Sequence, residues 1–528
     1  MSESKRISGN DVDVLIVGSG PVGSTFARVI ADSAPHARVL MVEAGPVLNA
    51  RIGEHVQNLS AAERSAAQQS AQGPDSGRPH VEAPFYEAGR AVEPDSDPAL
   101  LLRPALFLAG PRSRLPGEFG LPAAGMSSGV GGMGVHWTAS VPRPSGSERI
   151  DFIPEDELEA AYAEADRLLH VSRDLDGGDP LLAKLVSLLG DAFDGTAPDA
   201  PPVQLTPFAV TNDADGTRIS GTNVILGDLL DDARGDGAFE LRPDTLARRI
   251  VLHGRKAVGV ELMDRSSGEI YEVHATRVVV AADALRTPQL LFASQIRPRA
   301  LGRYLNDHLK VIGAIRLHDA LSGKVEPLAD GVRPVGAVLI PYVEGIRPMQ
   351  GQVHPGSRSP MILAAGVAPT GRYDTGVDGA RVPNAGLAWY GAKELQFSDA
   401  IEFSDTETDA FGMPAMTIHY TLTSRDAETV ERLREEAVRA GRLVGEFVLG
   451  EPAFMPGGSS LHYQGSTRMG PADDGESVCD TYGRVWGIEN LVIGGNNVIP
   501  TSTACNPTIT SVALAVRAAQ RIAAELST

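Results

Sequence analysis

The stretch DVLIVGSGPVG, residues 13–23, decides how this chain begins to fold. Its first five residues are a short apolar run of the kind found in a fully buried parallel strand. The composition of residues 24–31 then predicts a helix, and residues 38–43 (RVLMVE) repeat the apolar strand pattern. A strand, a helix and a second strand in this order predict a βαβ unit at the start of the chain.

The turn between the first strand and the helix carries three glycines with GxGxxG spacing. The first glycine of such a turn allows a tight bend, the second lets the backbone approach a pyrophosphate, and the third lets the helix pack against the sheet. Glu43 stands 20 residues beyond the last glycine, where a carboxylate accepts hydrogen bonds from ribose hydroxyls. The pattern predicts a dinucleotide site, for FAD or NAD, that includes Gly18, Gly20, Pro21, Gly23 and Glu43.

Length, charge and cysteine content bound the class of protein. A chain of 528 residues is too long for one core, so we expect two domains or one interleaved pair. The net charge of −20 argues against nucleic acid and anionic membranes as partners. Cys479 and Cys505 form neither a disulfide framework nor a zinc motif, and no other metal motif is present. Without a secretory signal or a long apolar run, we expect a cytoplasmic protein.

Residues 56–98 differ in composition from the segments on either side. They contain LSAAERSAAQQSAQGPDSGRPHVEAP, which is rich in Ala, Ser, Gln, Pro and Gly. This composition predicts a helix that runs into a mobile loop. The loop is either a lid or oligomer arm, or a surface insertion without a function.

The remaining patterns place nucleotide-binding elements at both ends and in the middle of the chain, with other material between them. No internal repeat is visible. Amphipathic periodicity marks helices, and short apolar runs mark buried strands. The predicted helices are residues 156–170, 288–294, 426–450 and 508–526, and the predicted strands lie within 246–260 and at 277–282 and 491–493.

Four segments resemble the glucose-methanol-choline (GMC) oxidoreductases: residues 13–27, 278–291 (VVVAADALRTPQLL), 301–309 (LGRYLNDHL) and 494–515. The resemblance implies FAD as the cofactor and an α/β fold. In that fold a Rossmann-type FAD-binding domain is interleaved with a substrate-binding α+β domain built on an antiparallel sheet. The implied segments are FAD-binding at 1–55, 99–145, 216–312 and 475–528, the insertion at 56–98, and substrate-binding at 146–215 and 313–474.

Residues 131–138, GGMGVHWT, narrow the resemblance to the pyranose oxidases and bacterial glycoside 3-oxidases. The similar segment of pyranose oxidases lies along the flavin ring, and in fungal members its histidine carries the flavin covalently. The matching His136 either forms this bond or packs beside bound FAD. Many family members have glycine where this chain has Asp283. The cofactor contacts that the resemblance implies are Gly131, Gly132, Met133, His136, Trp137, Thr138, Ile250, Val251, Ala282, Asn496, Asn506, Pro507 and Thr508.

Residues 461–470, LHYQGSTRMG, resemble the block that holds the family's catalytic histidine, and Asn506 follows 44 residues after His462. The resemblance implies that His462 takes a hydroxyl proton while hydride passes to the flavin, and that Asn506 holds the hydroxyl oxygen. An imidazole suits this role because its pKa of about 6.5 lies near working pH. Asn506 also suits the N-cap of the helix that follows Pro507.

The same resemblance implies a substrate and an electron acceptor. The substrate is a pyranose or glycoside oxidised at its C2 or C3 hydroxyl, and the acceptor is O2, giving H2O2, or a quinone. Gln352, His354 and Arg358 are candidate sugar contacts, or else belong to a solvated loop. The alternatives are a family member that oxidises a non-sugar alcohol, a non-redox lyase of the same fold, and a nucleotide-binding protein without catalysis.

Overall fold

The computed structural model describes residues 11–71, 104–108, 118–173, 180–198, 200–213, 216–231, 238–322, 336–355, 384–447 and 450–527. Arg358 and residues 72–98 of the expected insertion lie outside them. The described strands are β1 (Asp11–Val17), β2 (Val39–Val42), β3 (Leu106–Leu108), β4 (Gly125–Ser127), β5 (Val171–Ser172), β6 (Gln204–Leu205), β7 (Phe208–Asp213), β8 (Gly216–Ile219), β9 (Phe239–Arg242), β10 (Thr245–His253), β11 (Lys256–Asp264), β12 (Ile270–Val280), β13 (Leu309–Leu317), β14 (Val338–Ile340), β15 (Met349–Pro355), β16 (Asn384–Gly391), β17 (Ala400–Thr408), β18 (Pro414–His419), β19 (Gly445–Phe447), β20 (Ala453–Phe454) and β21 (Leu491–Ile493). The described helices are α1 (Pro21–Ser33), α2 (Ala61–Ala71), α3 (Glu155–Leu169), α4 (Pro180–Phe193), α5 (Thr222–Leu226), α6 (Asp283–Ala293), α7 (Asp319–Ser322), α8 (Ser424–Val444) and α9 (Thr508–Leu526).

A mostly parallel sheet gathers strands from both ends and from the middle of the chain. Its parallel part has the order β9–β2–β1–β12–β21, and the antiparallel pair β10–β11 continues from the first half of β12. The central strand β1 and the last three residues of β12 are covered on both faces, which explains their short apolar runs. The predicted βαβ unit is therefore present, with β1, α1 and β2 as its parts.

The first and last helices cover one face of this sheet together. The apolar residues of α1 and α9 share one core with the facing side chains of β1 and β2. At the end of β21, a Cβ on Gly494 would lie 2.8 Å from the Phe26 ring, so glycine lets α1 approach closely. On its other side, α9 contacts α3 through Arg517, which donates a hydrogen bond to Glu157 at 2.7 Å. The C-terminus thus completes the unit that the N-terminus begins.

A second, antiparallel sheet forms the other part of the molecule. Its order is β19–β13–β16–β15–β14–β6, with β20 also paired to β13. Helices α4 and α8 pack against one face, around the fully buried Trp389. The opposite face presents Lys310, Tyr390 and Gln350, which lie side by side on β13, β16 and β15. This mixed architecture confirms the predicted α/β fold with an antiparallel sheet. The residue boundaries of the FAD-binding and substrate-binding segments stay a prediction.

Two element boundaries differ clearly from the sequence pattern: the helix predicted at residues 288–294 begins at Asp283, and the end of α8 differs by six residues. The amphipathic periodicity predicts a helix over residues 426–450, but α8 ends at Val444 and the chain continues as β19. Gly445 is extended and pairs with Leu317, and a Cβ there would lie 2.1 Å from the Arg316 carbonyl oxygen. Close packing on β13 therefore ends the helix. Among the described helices, none is both long and apolar enough to span a membrane.

Candidate active site

A large cavity lies at the carboxyl ends of the parallel strands, facing the polar side of the antiparallel sheet. Its walls include the turn before α1, the end of β2 and, from the second sheet, Lys310 and Tyr390. The space between these walls, including its opening to solvent, is about 2300 Å³. Ligands of open α/β sheets bind in this position.

The three glycines of the first turn have distinct roles. Gly18 has a φ of +100°, and a Cβ there would lie 2.3 Å from the Ala281 carbonyl oxygen. A Cβ on Gly23 would lie 2.0 Å from the carbonyl oxygen of Gly18, so this glycine packs α1 onto β1. At Gly20, by contrast, a Cβ would meet nothing within 4 Å. Open space beside the N-terminus of α1 is what an approaching pyrophosphate requires.

Glu43 is tied to this turn by Ser19. Its carboxylate accepts hydrogen bonds from the backbone N–H of Ser19 at 3.2 Å and from the Ser19 hydroxyl at 2.8 Å. The same hydroxyl oxygen accepts a hydrogen bond from the Gly131 N–H at 3.0 Å. Burial raises the pKa of Glu43 to about 7, while the hydrogen bonds from Ser19 act in the opposite direction. A carboxylate held in this way lines the cavity and can accept from ribose hydroxyls.

The segment 131–138 lies against the start of α1. Gly131 and Gly132 both have positive φ, at +100° and +52°. A Cβ on Gly132 would come within 3.0 Å of the Gly20 Cα, and one on Gly134 within 2.7 Å of the Pro21 ring. These glycines let the 3-10 turn at residues 132–135 stack on the dinucleotide fingerprint. The stacking presents Met133, His136, Trp137 and Thr138 to the cavity.

His462 lines the same cavity, in a loop held by Asp307. The Asp307 carboxylate accepts hydrogen bonds from the N–H of His462 and the N–H of Gly458, both at 3.1 Å. The Nδ1 atom of His462 lies 3.2 Å from Nδ1 of His308, which leaves Nε2 as the nitrogen available for chemistry. Burial, with His308 and Lys310 adding to it, holds the pKa of His462 well below its usual value. The imidazole is therefore neutral and able to accept a proton.

Asn506 lies on the same cavity and is held by the antiparallel sheet. Its Oδ1 accepts hydrogen bonds from Nε2 of Gln350 and from Nε2 of Gln352, each at 2.8 Å. Because both bonds use the oxygen, the Nδ2 group remains free to donate to a bound hydroxyl oxygen. His354 lies behind Gln352, with its Nε2 at 3.1 Å from the Oε1 of that residue. The two glutamines therefore fix the orientation of the amide.

The backbone that precedes Asn506 is fixed by a buried carboxylate. Glu148 accepts hydrogen bonds from the N–H groups of Ala504 at 2.6 Å and Cys505 at 2.9 Å. Helix α9 begins at Thr508 with Pro507 in the N-cap position. Asn506 therefore precedes the cap and bonds to the sheet, so its expected alternative role as an N-cap is wrong.

Comparisons with known proteins identify the family. The family model described as GMC oxidoreductase matches this chain twice, over residues 146–310 and residues 400–515. The chain belongs to the GMC oxidoreductase family. Two curated relatives cover nearly its whole length. A C-glycoside 3-oxidase from Arthrobacter globiformis is 44% identical over 98% of this chain and 96% of its own. Another from Microbacterium trichothecenolyticum is 42% identical over 99% of both chains.

More distant GMC members agree with this assignment. A pyranose 2-oxidase from Tricholoma matsutake is 29% identical over 97% of this chain and 94% of its own length. Among solved structures, pyridoxine 4-oxidase from Mesorbium loti has a TM-score of 0.63 and 18% identity, covering 97% of this chain and 99% of that one. This last likeness shows the fold alone. The chain is thus an FAD-dependent oxidoreductase acting on CH–OH groups.

The cavity of this GMC protein fits FAD. Its dinucleotide end is formed by the fingerprint turn and Glu43. The hydroxyls of Ser127 and Ser128 line the same cavity, are buried, and have no hydrogen-bond partner among the described residues. Buried hydroxyls are normally hydrogen-bonded, so these two fit the polar groups of a bound cofactor. Open space at Gly20 and these serines are the observations that support the fit.

The predicted site residues divide into those that line the cavity and those that do not. Thirteen of the eighteen predicted cofactor residues line the cavity, and so does His462. Those on the cavity wall are Gly18, Gly20, Pro21, Glu43, Gly132, Met133, His136, Trp137, Thr138, Ala282, His462, Asn496, Asn506 and Thr508. Gly23, Gly131 and Pro507 support the turns behind it. Ile250 and Val251 lie further along β10, whose first residues, at 245–247, line the cavity instead.

The predicted sugar contacts lie behind the wall. Gln352 and His354 are buried on β15, where Gln352 contacts the cavity-lining residues Asn506 and Ser140, and Arg358 is outside the described residues. Lys310 and Tyr390 line the cavity although no motif marks them. Their position depends on strand register, which sequence does not show.

Asp283 also lines the cavity, at a conformation that explains the family's preference for glycine. Its φ is +69°, in the left-handed region where a Cβ is unfavourable. The Asp283 side chain compensates by accepting hydrogen bonds from the N–H groups of Leu285 at 2.6 Å and Arg286 at 2.9 Å. The carboxylate therefore caps the start of α6, and short polar side chains of this type tolerate left-handed backbone.

Proposed function

We propose that this protein oxidises a secondary hydroxyl of a glycoside, at C3 of the sugar ring, to a ketone. The observation that carries the proposal is the 44% and 42% identity to two C-glycoside 3-oxidases over nearly the whole chain. The cavity supports it, because His462 and Asn506 both reach the same wall. Oxidation at C2 of a free pyranose is the second candidate, since pyranose 2-oxidases are relatives at 25–29% identity.

The chain's own residues bind, orient and deprotonate the hydroxyl. Asn506, fixed by Gln350 and Gln352, donates from Nδ2 to the hydroxyl oxygen and so holds the carbon in the geometry for reaction. His462, kept neutral by burial, takes the hydroxyl proton on Nε2. Bound FAD supplies the acceptor for the hydride that leaves the same carbon. Lys310 and Tyr390 form the wall contributed by the antiparallel sheet.

The proposal includes O2 as the electron acceptor, because the relatives are named oxidases. Turnover in air would then release one H2O2 for each ketone formed. A quinone is the alternative acceptor. Comparing turnover with O2 and with a benzoquinone, in the same preparation, separates the two.

The decisive experiment is an anaerobic titration of the purified yellow protein with a C-glycoside, an O-glycoside, glucose and a primary alcohol. Bleaching of the flavin band by a glycoside, followed by NMR of the product, would show redox activity and the oxidised carbon together. A ketone at C3 supports the proposal, and a ketone at C2 favours the second candidate. Bleaching by the primary alcohol alone would favour a non-sugar substrate. A flavin that no alcohol reduces would favour the non-redox lyase.

Substitution of His136 tests a separate feature, namely whether FAD is attached covalently. It lies on the cavity wall beside Trp137 and Thr138. Acid precipitation of the holoprotein distinguishes the two arrangements. A yellow pellet that becomes colourless in His136→Ala shows a covalent bond, and a colourless wild-type pellet shows that the histidine packs beside the cofactor.

A further inference from the structure

The LNDHL part of residues 301–309 holds a histidine that the site described so far does not use. The segment is bridged to the loop of His462 by two backbone hydrogen bonds. The N–H of Asn306 donates to the Gln464 carbonyl at 3.1 Å, and the N–H of Gln464 donates to the Asn306 carbonyl at 2.8 Å. This bridge fixes the register of the two segments and places His308 directly against His462.

The two imidazoles form one hydrogen bond through identical atoms. Their Nδ1 atoms are 3.2 Å apart, and their ring centroids 4.7 Å apart at an interplanar angle of 65°. Burial lowers the pKa of both rings, that of His308 to about 3, so each ring carries a single proton at neutral pH. One Nδ1 must therefore carry a proton and the other a lone pair, and the neighbours of His308 decide which.

Thr503 resolves the direction of this hydrogen bond. Its hydroxyl donates its only proton to the nearest acceptor, the Cys505 carbonyl oxygen at 3.0 Å, and accepts from Nε2 of Gln464 at 3.1 Å. The remaining lone pair faces Nε2 of His308 at 3.4 Å. Nε2 of His308 therefore carries the proton of that ring. Nδ1 of His308 is then the acceptor, and Nδ1 of His462 is the donor.

We propose that His308 is a positioning residue that holds His462 in the tautomer with a free lone pair on Nε2. The proposal rests on the proposed function, in which Nε2 of His462 takes the hydroxyl proton. His308 does not line the cavity and so acts only through His462. When the hydroxyl O–H bond breaks and an N–H bond forms at Nε2, the Nδ1 proton stays in its hydrogen bond to His308. The arrangement uses a neutral ring to orient the base.

The test compares two substitutions in the holoprotein. In His308→Leu no acceptor remains for Nδ1, so the wrong tautomer becomes available to His462. A general base contributes about 10²–10⁴-fold, and we expect anaerobic flavin reduction by a saturating glycoside to fall by about 10²-fold or more. In His308→Asn the side-chain oxygen can replace the lost acceptor, and the rate should stay within about 10-fold of wild type. Flavin content and glycoside Kd should be unchanged in both variants.

A double-mutant cycle separates positioning from a general structural role. In a His462→Ala background, His308→Leu should cause no further loss, because the residue it orients is absent. An additional loss of similar size in that background would overturn the proposal, as would equal loss in the Leu and Asn variants. Should the Leu variant fail to bind flavin, Thr503→Val, which removes the partner of His308 Nε2, takes its place in the cycle.

Failure of the proposed function has a different signature. Wild-type flavin that no glycoside reduces would contradict the glycoside assignment, and the same cycle would then be run with whichever alcohol reduces the flavin. If a glycoside reduces the flavin at the same rate in the wild-type protein and in His308→Leu, the role of His308 is contradicted. The oxidase assignment would stay intact.

Discussion

At the residue scale, the proton transfer that we propose for His462 can be tested alone. In His462→Ala, the fingerprint turn and Glu43, which would hold FAD, stay intact, so the protein should remain yellow. Loss of the base should slow reduction by a glycoside by about 10²–10⁴-fold. Stopped-flow absorbance without oxygen measures this rate directly. An unchanged rate in a variant that binds flavin normally would show that another group takes the proton.

Lys310 adds to the burial that lowers the pKa of His462. Its ammonium group faces His308, His462, Tyr390 and the Asp307 carboxylate, and burial lowers its own pKa to about 8, with Asp307 acting in the opposite direction. A cation here disfavours protonation of His462. Lys310→Met should therefore raise the pKa of His462, and the acid-side fall in the rate of flavin reduction should move to higher pH.

The measurement for this prediction is the reduction rate at saturating glycoside from about pH 4 to about pH 9, a range that extends below the ordinary imidazole pKa because burial lowers that of His462. Lys256→Met, at an exposed lysine on β11, is the matched control and should leave the profile in place. If the rate falls on the acid side at the same pH in Lys310→Met and in wild type, the charge of Lys310 does not affect the pKa of His462.

At the element scale, α6 begins with Asp283, whose backbone conformation and side-chain hydrogen bonds favour different residue types. The positive φ of Asp283 favours glycine, whereas its two backbone hydrogen bonds favour aspartate. Asp283→Ala loses the hydrogen bonds and keeps the unfavourable backbone, and Asp283→Gly loses the hydrogen bonds but relieves the backbone. We expect the alanine variant to be less stable than the glycine variant by about 1 kcal/mol. Denaturant unfolding of both variants measures the difference, and equal midpoints would contradict the role of φ.

Elements with strong local signals could be predicted from the sequence, and those set by packing could not. The apolar run before Gly18 and the periodicity of residues 508–526 match β1 and α9 within two residues at each end. The end of α8 was missed because Gly445 joins a strand that is remote in sequence. Lys310 and Gln350 were missed for the same reason, since only the register of β13, β16 and β15 puts them beside the cavity.

At the scale of the whole molecule, the two sheets share one cavity. The walls of this cavity, which fits FAD, come from β1, β2 and the C-terminal segment, and Lys310 and Tyr390 of the antiparallel sheet line it as well. A ligand that binds only the folded state stabilises it by about 2.7 kcal/mol at 100 times its Kd. We therefore expect the holoprotein to unfold in a single thermal transition.

Two signals recorded on one sample check this expectation. Flavin fluorescence reports release of the cofactor, and far-UV circular dichroism reports both sheets, so their midpoints should coincide. A second circular-dichroism transition that does not depend on flavin would show that the antiparallel sheet unfolds as an independent unit.

The two hydrogen bonds from Gln350 and Gln352 to Asn506 have a consequence for enzyme engineering. One strand, β15, holds Asn506 from behind through both glutamines, whereas Tyr390, which lines the cavity, lies on β16. Directed evolution toward a new glycoside can therefore randomise the positions around Tyr390 while both glutamines are held constant. In libraries that also vary the glutamines, most variants would lose the fixed orientation of the Asn506 amide. The fraction of active clones would therefore fall.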